Sequence, residues 1–194
     1  QTRVVADLVA GGAVGRLRTI RSSSGFTLPA GDVRLDSELD GGALMDVGCY
    51  CVSGSRLLAG EPEHVLGEQV VGETGVDLAF HGTLRFPDEV VAQFDCSFVQ
   101  PRGQGLEAVG EEGRLVVETP FRPDWGGDVL LVREDETTRF EVPEARMFAL
   151  ELENFAAAIA GDAPALLGRA DALGQARVID ALYVLEPVLA ESDY

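Results

Sequence analysis

The chain contains no lysine, because all fifteen of its basic residues are arginine. A mechanism that moves a proton through a lysine therefore cannot be completed by this chain alone. The 15 bases stand against 33 acids, which gives a formal net charge of −18. A field of that sign repels a phosphate backbone, so we expect no nucleic acid among the partners. No segment approaches the roughly 20 consecutive apolar residues of a membrane-spanning helix, so we expect no membrane partner and a cytoplasmic protein.

Cysteine and histidine are also scarce, with three and two residues. An odd and sparse set of cysteines argues against a disulfide framework. Cys49 and Cys51 lie two residues apart on a predicted helix, so their side chains diverge by about 200° and cannot clamp a metal together. His64 and His81 are far in sequence from these cysteines. We therefore predict no metal site.

The glycine-rich turn of a dinucleotide-binding domain is missing as well. That turn has the pattern Gly-x-Gly-x-x-Gly between a strand and a helix. The glycines of segment 11–15 have a different spacing and run into a predicted strand, and Gly103-Gln104-Gly105 lacks the third glycine. We expect no cofactor to be bound tightly by this chain, and its residues leave any cofactor-binding position unknown.

The order of the predicted elements indicates the fold class. A helix over Val4–Ala10 and a strand over Arg16–Phe26 precede a long helix from about Gly42 to Leu58. In this helix Leu44, Val47, Cys51 and Leu58 form one stripe, which we expect to be buried against a sheet. Strand signals dominate from His64 to Val142, with a hairpin turn at Pro87-Asp88. Because helices and strands do not alternate, the pattern predicts an α+β fold with an open, mainly antiparallel sheet and helices packed on one face.

Two helices are predicted to close the chain, over Met147–Ile159 and from Arg169 to about Leu189. In the first of them Leu150, Phe155 and Ile159 fit a stripe that would be buried. At 194 residues and 20.6 kDa the chain fits a single domain, residues 1–194.

The segment Asp40–Cys51, DGGALMDVGCYC, places a carboxylate and a phenol one helical turn apart. Asp46 and Tyr50 stand at i and i+4, about 40° apart around a helix axis. Such a pair could line a pocket for a hydroxylated substrate. From the spacing alone, an ordinary polar face on an amphipathic helix remains the alternative.

The same segment carries a resemblance to a family. GGALMDVGCYCV, followed by SGSRLLAGEPEHV, resembles the substrate-side motif of the Gfo/Idh/MocA oxidoreductases, with Tyr50 in place of the commoner histidine. The tyrosine version is similar to the branch of glucose–fructose oxidoreductase, xylose dehydrogenase and dihydrodiol dehydrogenase. Further segments extend the resemblance over nearly the whole chain, among them LVAGGAVGRLRTIRS, VRLDSELDGG, HGTLRFPDEVVAQFDCSF and LELENFAAAIAGDAP.

This resemblance implies a C-terminal substrate-side domain whose N-terminal Rossmann domain is absent from the chain. The sequence begins at Gln1 rather than at a methionine, which fits that expectation. The whole protein would transfer a hydride between NAD or NADP and a sugar, polyol or diol, and the isolated domain would be inactive. The open sheet face would mediate assembly, so we expect at least a homodimer. A non-catalytic ligand-binding or oligomerisation module that retains the fold is the alternative.

The resemblance also implies roles for individual residues. Tyr50 would exchange the hydroxyl proton of the substrate, and Asp46 would orient the substrate or hold the phenol in place. Arg34, in the loop ahead of the helix, could grip a substrate diol with its guanidinium fork, although a role in bracing the loop is the alternative. A free phenol has a pKa of about 10, so Tyr50 needs a nearby cation to act as a base near neutral pH.

Overall fold

The computed structural model describes residues 1–184, in which eight strands form one sheet. The sheet order is β2-β3-β4-β1-β5-β6-β7-β8. β1 runs parallel to β4, and every other neighbouring pair is antiparallel. The predicted α+β fold with an open, mainly antiparallel sheet is therefore confirmed. The strands are β1 Leu17–Gly25, β2 His64–Val71, β3 Asp77–Arg85, β4 Val91–Ser97, β5 Gly103–Gly110, β6 Arg114–Val117, β7 Val129–Arg133 and β8 Glu136–Phe140.

The α-helices of the described residues are α1 Thr2–Ala10, α2 Cys49–Ala59, α3 Met147–Ala160 and α4 Arg169–Tyr183. α1 covers β5, β6 and β7, where its Val5 joins a cluster with Leu115 and Val129. α2 and α4 cover β1, β3 and β4, where residues such as Phe80 and Leu182 are fully buried. α1, α2 and α4 thus pack on one face of the sheet, as predicted.

The other face of the sheet carries charged and polar side chains. Arg21 of β1 and Arg114 of β6 both bind Glu107 of β5, at 2.8 and 2.7 Å. On the edge strand β2, Gln69 pairs with Phe80, whose side chain is buried under the helices. Because side chains alternate along a strand, Leu66 and Val70 point to the opposite, open face. No helix packs over these side chains within the part of the chain that is described.

The long predicted helix begins differently from the prediction. Residues Leu44–Gly48 form one π-helical turn, and α2 continues from Cys49. Gly48 allows this turn to approach β4, since a Cβ there would lie 2.7 Å from the Sγ atom of Cys96. The predicted buried stripe is largely present: Leu44, Val47 and Cys51 are buried.

α3 differs most from its prediction. The predicted burial of Leu150, Phe155 and Ile159 is wrong, because these side chains are 55%, 63% and 73% exposed and the helix has no buried residue. Leu150 also lies on the opposite side of the helix from Ile159, nine residues away, and no described residue covers the face that carries Phe155 and Ile159. α4 ends at Tyr183, and the rest of its predicted span, to about Leu189, lies outside the described residues.

None of the helices within residues 1–184 combines the length and the apolar character that crossing a membrane requires.

Candidate functional site

Two glycines shape the loop that leads into the helix of Asp46 and Tyr50. The backbone N–H groups of Gly41 and Gly42 donate to the carbonyl oxygens of Asp36 and Arg34, both at 3.0 Å. A Cβ on Gly41 would lie 2.4 Å from the Arg34 oxygen. Gly42 has φ +127°, and a Cβ there would lie 2.1 Å from the Oδ1 atom of Asp77. The glycine pair of the motif is therefore required by close backbone approach and by a positive φ.

This loop brings Arg34 to Asp46. The Nε atom of Arg34 donates to Oδ1 of Asp46 at 3.1 Å, and its Nη1 atom donates to Oδ1 of Asp32 at 3.1 Å. Asp32 also accepts from the backbone N–H of Arg34 at 3.0 Å, which fixes the short 3₁₀ turn that carries the arginine. The negative field of Asp46 is the main reason that the pKa of Arg34 is raised. Two of the three predicted site residues are thus joined by an ion pair.

Tyr50 lies on the surface, with its side chain 49% exposed. Its ring stacks on Phe121, with ring centroids 5.7 Å apart and planes inclined by 24°. Partial burial raises the pKa of the phenol, and the charges of Cys49 and Asp46 raise it further, whereas Arg122 acts in the opposite direction. Because the raising effects outweigh Arg122, no group among residues 1–184 activates Tyr50 as a base near neutral pH.

Asp46 and Tyr50 both reach solvent from the start of the same helix. The side chain of Asp46 is 31% exposed. The π turn widens the helix between the two residues, and π turns occur frequently at functional sites. The chain thus presents a carboxylate paired with a guanidinium, and an accessible phenol that feels the charge of that carboxylate. These groups are able to bind and protonate a hydroxylated molecule.

Sequence reasoning missed three residues around this surface. Phe121 and Arg122 come from the loop between β6 and β7, and no local pattern links that loop to Tyr50. In the same loop the Arg122 guanidinium lies 4.2 Å from the ring centroid of Trp125. Asp77 is 3% exposed at the start of β3. An acidic residue directly before the alternating apolar residues of β3 indicates a carboxylate that needs a hydrogen-bond partner if it is buried. This signal in the sequence could have been noticed.

Comparison with known proteins assigns the chain to a family. A model of the GFO/IDH/MocA C-terminal domain matches residues 2–116, more than half of the chain. The chain belongs to the GFO/IDH/MocA family. The resemblance inferred from GGALMDVGCYCV is thereby confirmed.

Relatives in the GFO/IDH/MocA family include sugar and diol dehydrogenases. D-xylose 1-dehydrogenase (NADP(+)) 2 from Haloferax volcanii is 30% identical over 187 residues, covering 94% of this chain and 57% of that protein. Human trans-1,2-dihydrobenzene-1,2-diol dehydrogenase is 31% identical over 147 residues, covering 73% of this chain and 42% of that protein. Both names fall within the branch that Tyr50 indicated.

Solved structures include a 3-ketoreductase with the same fold. KijD10 from Actinomadura kijaniata, in complex with NADP and TDP-benzene, superimposes with a TM-score of 0.87 at 27% identity. The match covers 94% of this chain and 58% of KijD10. The chain therefore spans about half the length of the relatives it matches, from 42% to 58%.

Proposed function

We propose that this chain is the substrate-side domain, residues 1–194, of an oxidoreductase that transfers a hydride between NAD(P) and a sugar, polyol or diol. The observation that supports this most directly is that Asp46 binds Arg34 and acts electrostatically on the exposed Tyr50, in a chain of the GFO/IDH/MocA family. The named activities of the xylose and dihydrobenzenediol dehydrogenases support the substrate class.

The chain's own glycines do not fit a dinucleotide. Gly12 and Gly15 form turns that lead into β1, whereas Gly103 and Gly105 lie within β5. None of these segments opens a helix, so none offers the backbone N–H groups that hold a pyrophosphate. We therefore assign the cofactor to a separate N-terminal Rossmann domain of the same protein. When bound there, NAD(P) would supply or accept the hydride.

The residues of this chain would handle the substrate hydroxyls. The Oη atom of Tyr50 would exchange a proton with the reacting oxygen, and Asp46 with Arg34 would orient neighbouring hydroxyls. Because the pKa of Tyr50 is raised and the chain has no lysine, the proposal requires a cation from the other domain to lower that pKa. The site is therefore divided between two domains.

The uncovered face of α3 supports a neighbouring domain at this position. We define the α3 apolar surface as Phe148, Leu152, Phe155 and Ile159, which repeat with helical spacing and are 63–73% exposed. The charge of Glu151, on the same helix, raises the pKa of Tyr50. α3 therefore lies within electrostatic range of the phenol, and we infer that a domain covering the α3 apolar surface would extend to the site.

The proposal also covers the oligomeric state of the protein and its location in the cytoplasm. We infer at least a homodimer through the open sheet face, which offers Leu66, Val70 and the ion pairs of Glu107 as contacts. Leu66→Glu should then reduce the sedimentation coefficient of the full-length protein to that of a monomer. All three cysteines are free thiols, as expected of a reducing cytoplasm.

Steady-state kinetics of the full-length protein test the catalytic assignment. Tyr50→Phe keeps the ring that stacks on Phe121 and removes only the hydroxyl, so kcat with the best sugar or diol should fall about a hundredfold or more. Asp46→Asn should lower kcat/KM for that substrate without changing the KM for NAD(P). Asp88→Asn, at an exposed turn, is the matched control and should leave both constants unchanged. Unchanged activity in Tyr50→Phe would favour the alternative of a non-catalytic module.

A second experiment tests the domain contact. The double variant Phe155→Ser and Ile159→Ser should change the unfolding free energy of the 194-residue chain by less than about 0.5 kcal/mol, because both side chains are exposed. In the full-length protein the same variant should expose the connection between the domains to limited proteolysis. Val99→Ser is the control, because Val99 is similarly exposed in the loop between β4 and β5. Identical proteolysis of all three proteins would contradict a domain seated on α3.

A further inference from the structure

A buried carboxylate from a distant strand holds the start of the helix that carries Asp46 and Tyr50. Asp77 is the first residue of β3, and its Oδ2 atom accepts the backbone N–H of Leu44 at 2.7 Å. Its Oδ1 atom accepts the hydroxyl of Tyr183, the last residue of α4, at 3.0 Å. Gly42 passes so close to Oδ1 that no side chain fits between them.

The helix start has no other side-chain cap among the described residues. Ala43, at the position that normally supplies the cap, makes no side-chain hydrogen bond. The first N–H groups of a helix lack partners within the helix, and a negative charge at that end is favourable. Asp77 supplies both the acceptor and the charge from 33 residues away in sequence.

α4 fixes the same helix a second time, beside Tyr50. The Nε2 atom of Gln175 donates to the carbonyl oxygen of Cys49 at 2.8 Å. Gln175 is itself held by Arg56, whose Nη1 atom donates to it at 3.0 Å. α4 therefore holds the segment at Leu44, through Tyr183 and Asp77, and at Cys49, through Gln175. Asp46 and Tyr50 lie two residues and one residue from these positions.

We propose that Asp77, oriented by Tyr183, is a positioning residue that sets the register of the π turn and thereby the placement of Asp46 and Tyr50. Asp77 is remote from solvent and does not touch the substrate, so it acts through the backbone N–H of Leu44. The kinetic part of this inference rests on the proposed function, whereas the geometric part does not. A displacement of about 1 Å at a catalytic group can lower a rate a hundredfold.

Kinetics of the full-length protein form the first test. Asp77→Asn keeps the shape but has only one acceptor oxygen for the two donors, so kcat should fall about tenfold while the KM for NAD(P) is unchanged. Tyr183→Phe should give a smaller loss in the same direction, since Leu44 keeps its acceptor. The control is Asp128→Asn, because Asp128 is a partly exposed carboxylate that likewise accepts a backbone N–H, that of Val142 at 3.0 Å, and binds Arg139 elsewhere in the fold. An equal fall of kcat in Asp77→Asn and Asp128→Asn would overturn the proposal.

The ionisation of Tyr50 forms the second test and does not depend on turnover. The tyrosinate absorbance of the full-length protein is titrated in parallel with that of its Tyr50→Phe variant, and the difference isolates the Tyr50 phenol. In Asp77→Asn the pKa of Tyr50 should move toward its ordinary value of 10.0, because a loosened helix start exposes the phenol and takes it away from the charges that shift it. Asp128→Asn should leave it in place.

The two tests separate the two claims. A full-length protein that turns over no sugar or diol, yet shows the Tyr50 shift in Asp77→Asn alone, would refute the proposed function and support the positioning role. An unchanged Tyr50 pKa in Asp77→Asn would overturn the positioning role, whatever the activity.

Discussion

Replacing Arg56 by methionine should measure how strongly α4 is attached to the rest of the domain. The Arg56 side chain is only 4% exposed, and five hydrogen bonds hold its guanidinium. The acceptors are Glu61, Asp171 and Gln175, of which the last two belong to α4. Gly174 permits this contact, since a Cβ there would lie 2.3 Å from Nη2 of Arg56.

The loss of unfolding free energy depends on how well water can solvate the carboxylate acceptors once Arg56 is removed. Removing one partner of a buried ion pair costs about 3–5 kcal/mol when the other charge stays buried. Glu61 and Asp171 have side chains that are 62% and 35% exposed, so water restores part of their solvation. Methionine retains much of the packing volume. We therefore expect the lower end of the range, about 3 kcal/mol, which corresponds to a fall in Tm of about 6–12 °C for a domain of this size.

Urea and thermal unfolding of the 194-residue chain, followed by far-ultraviolet circular dichroism, check this value. Arg21→Met is the matched control, because Arg21 also binds a glutamate but has a side chain that is 57% exposed. An exposed ion pair contributes about 0–1 kcal/mol. Equal losses of stability in Arg56→Met and Arg21→Met would refute the argument that burial of the guanidinium determines the cost.

Two further predictions concern titratable groups. Partial burial opposes ionisation of Glu107, but hydrogen bonds from its two arginine partners outweigh it and lower its pKa below 4.5. The stability that this ionisation contributes is present above pH 4.5 and is lost as the pH falls through the lowered pKa. Glu107→Gln should therefore be less stable than the original chain at neutral pH and should lose less stability on acidification. Urea unfolding at a series of pH values measures both effects. Burial raises the pKa of Cys49 to about 11 and of Cys51 to about 12, and it raises the pKa of Cys96 as well. A thiol-reactive disulfide reagent at pH 8 should therefore label all three only after denaturation, and rapid labelling of the native chain would contradict this burial.

Local patterns in the sequence were sufficient to predict the main helices and strands and the buried side of the helix that carries the motif. The alternation around Pro87-Asp88 predicted the β3–β4 hairpin, and the apolar spacing of Leu44, Val47 and Cys51 predicted the buried side of the helix. Asp46 and Tyr50 were found because one short segment contains both. These features depend on neighbours within a turn or two, which is the range that periodicity reports.

Only the tertiary structure decided the surroundings of the site. Phe121 reaches Tyr50 from 71 residues away in sequence, and Asp77 caps the helix from another strand; the sequence near either residue does not indicate which partner it contacts. The π turn arises where the helix approaches Cys96 of β4, which no propensity of the segment 44–48 predicts. The helix α3 was predicted from the sequence, but the predicted burial of its apolar side chains was wrong, because burial depends on which partner is present. Sequence by itself thus determined which side chains are apolar or reactive, and the packing of distant segments determined which of them meet, because such contacts depend on the whole fold rather than on neighbouring residues.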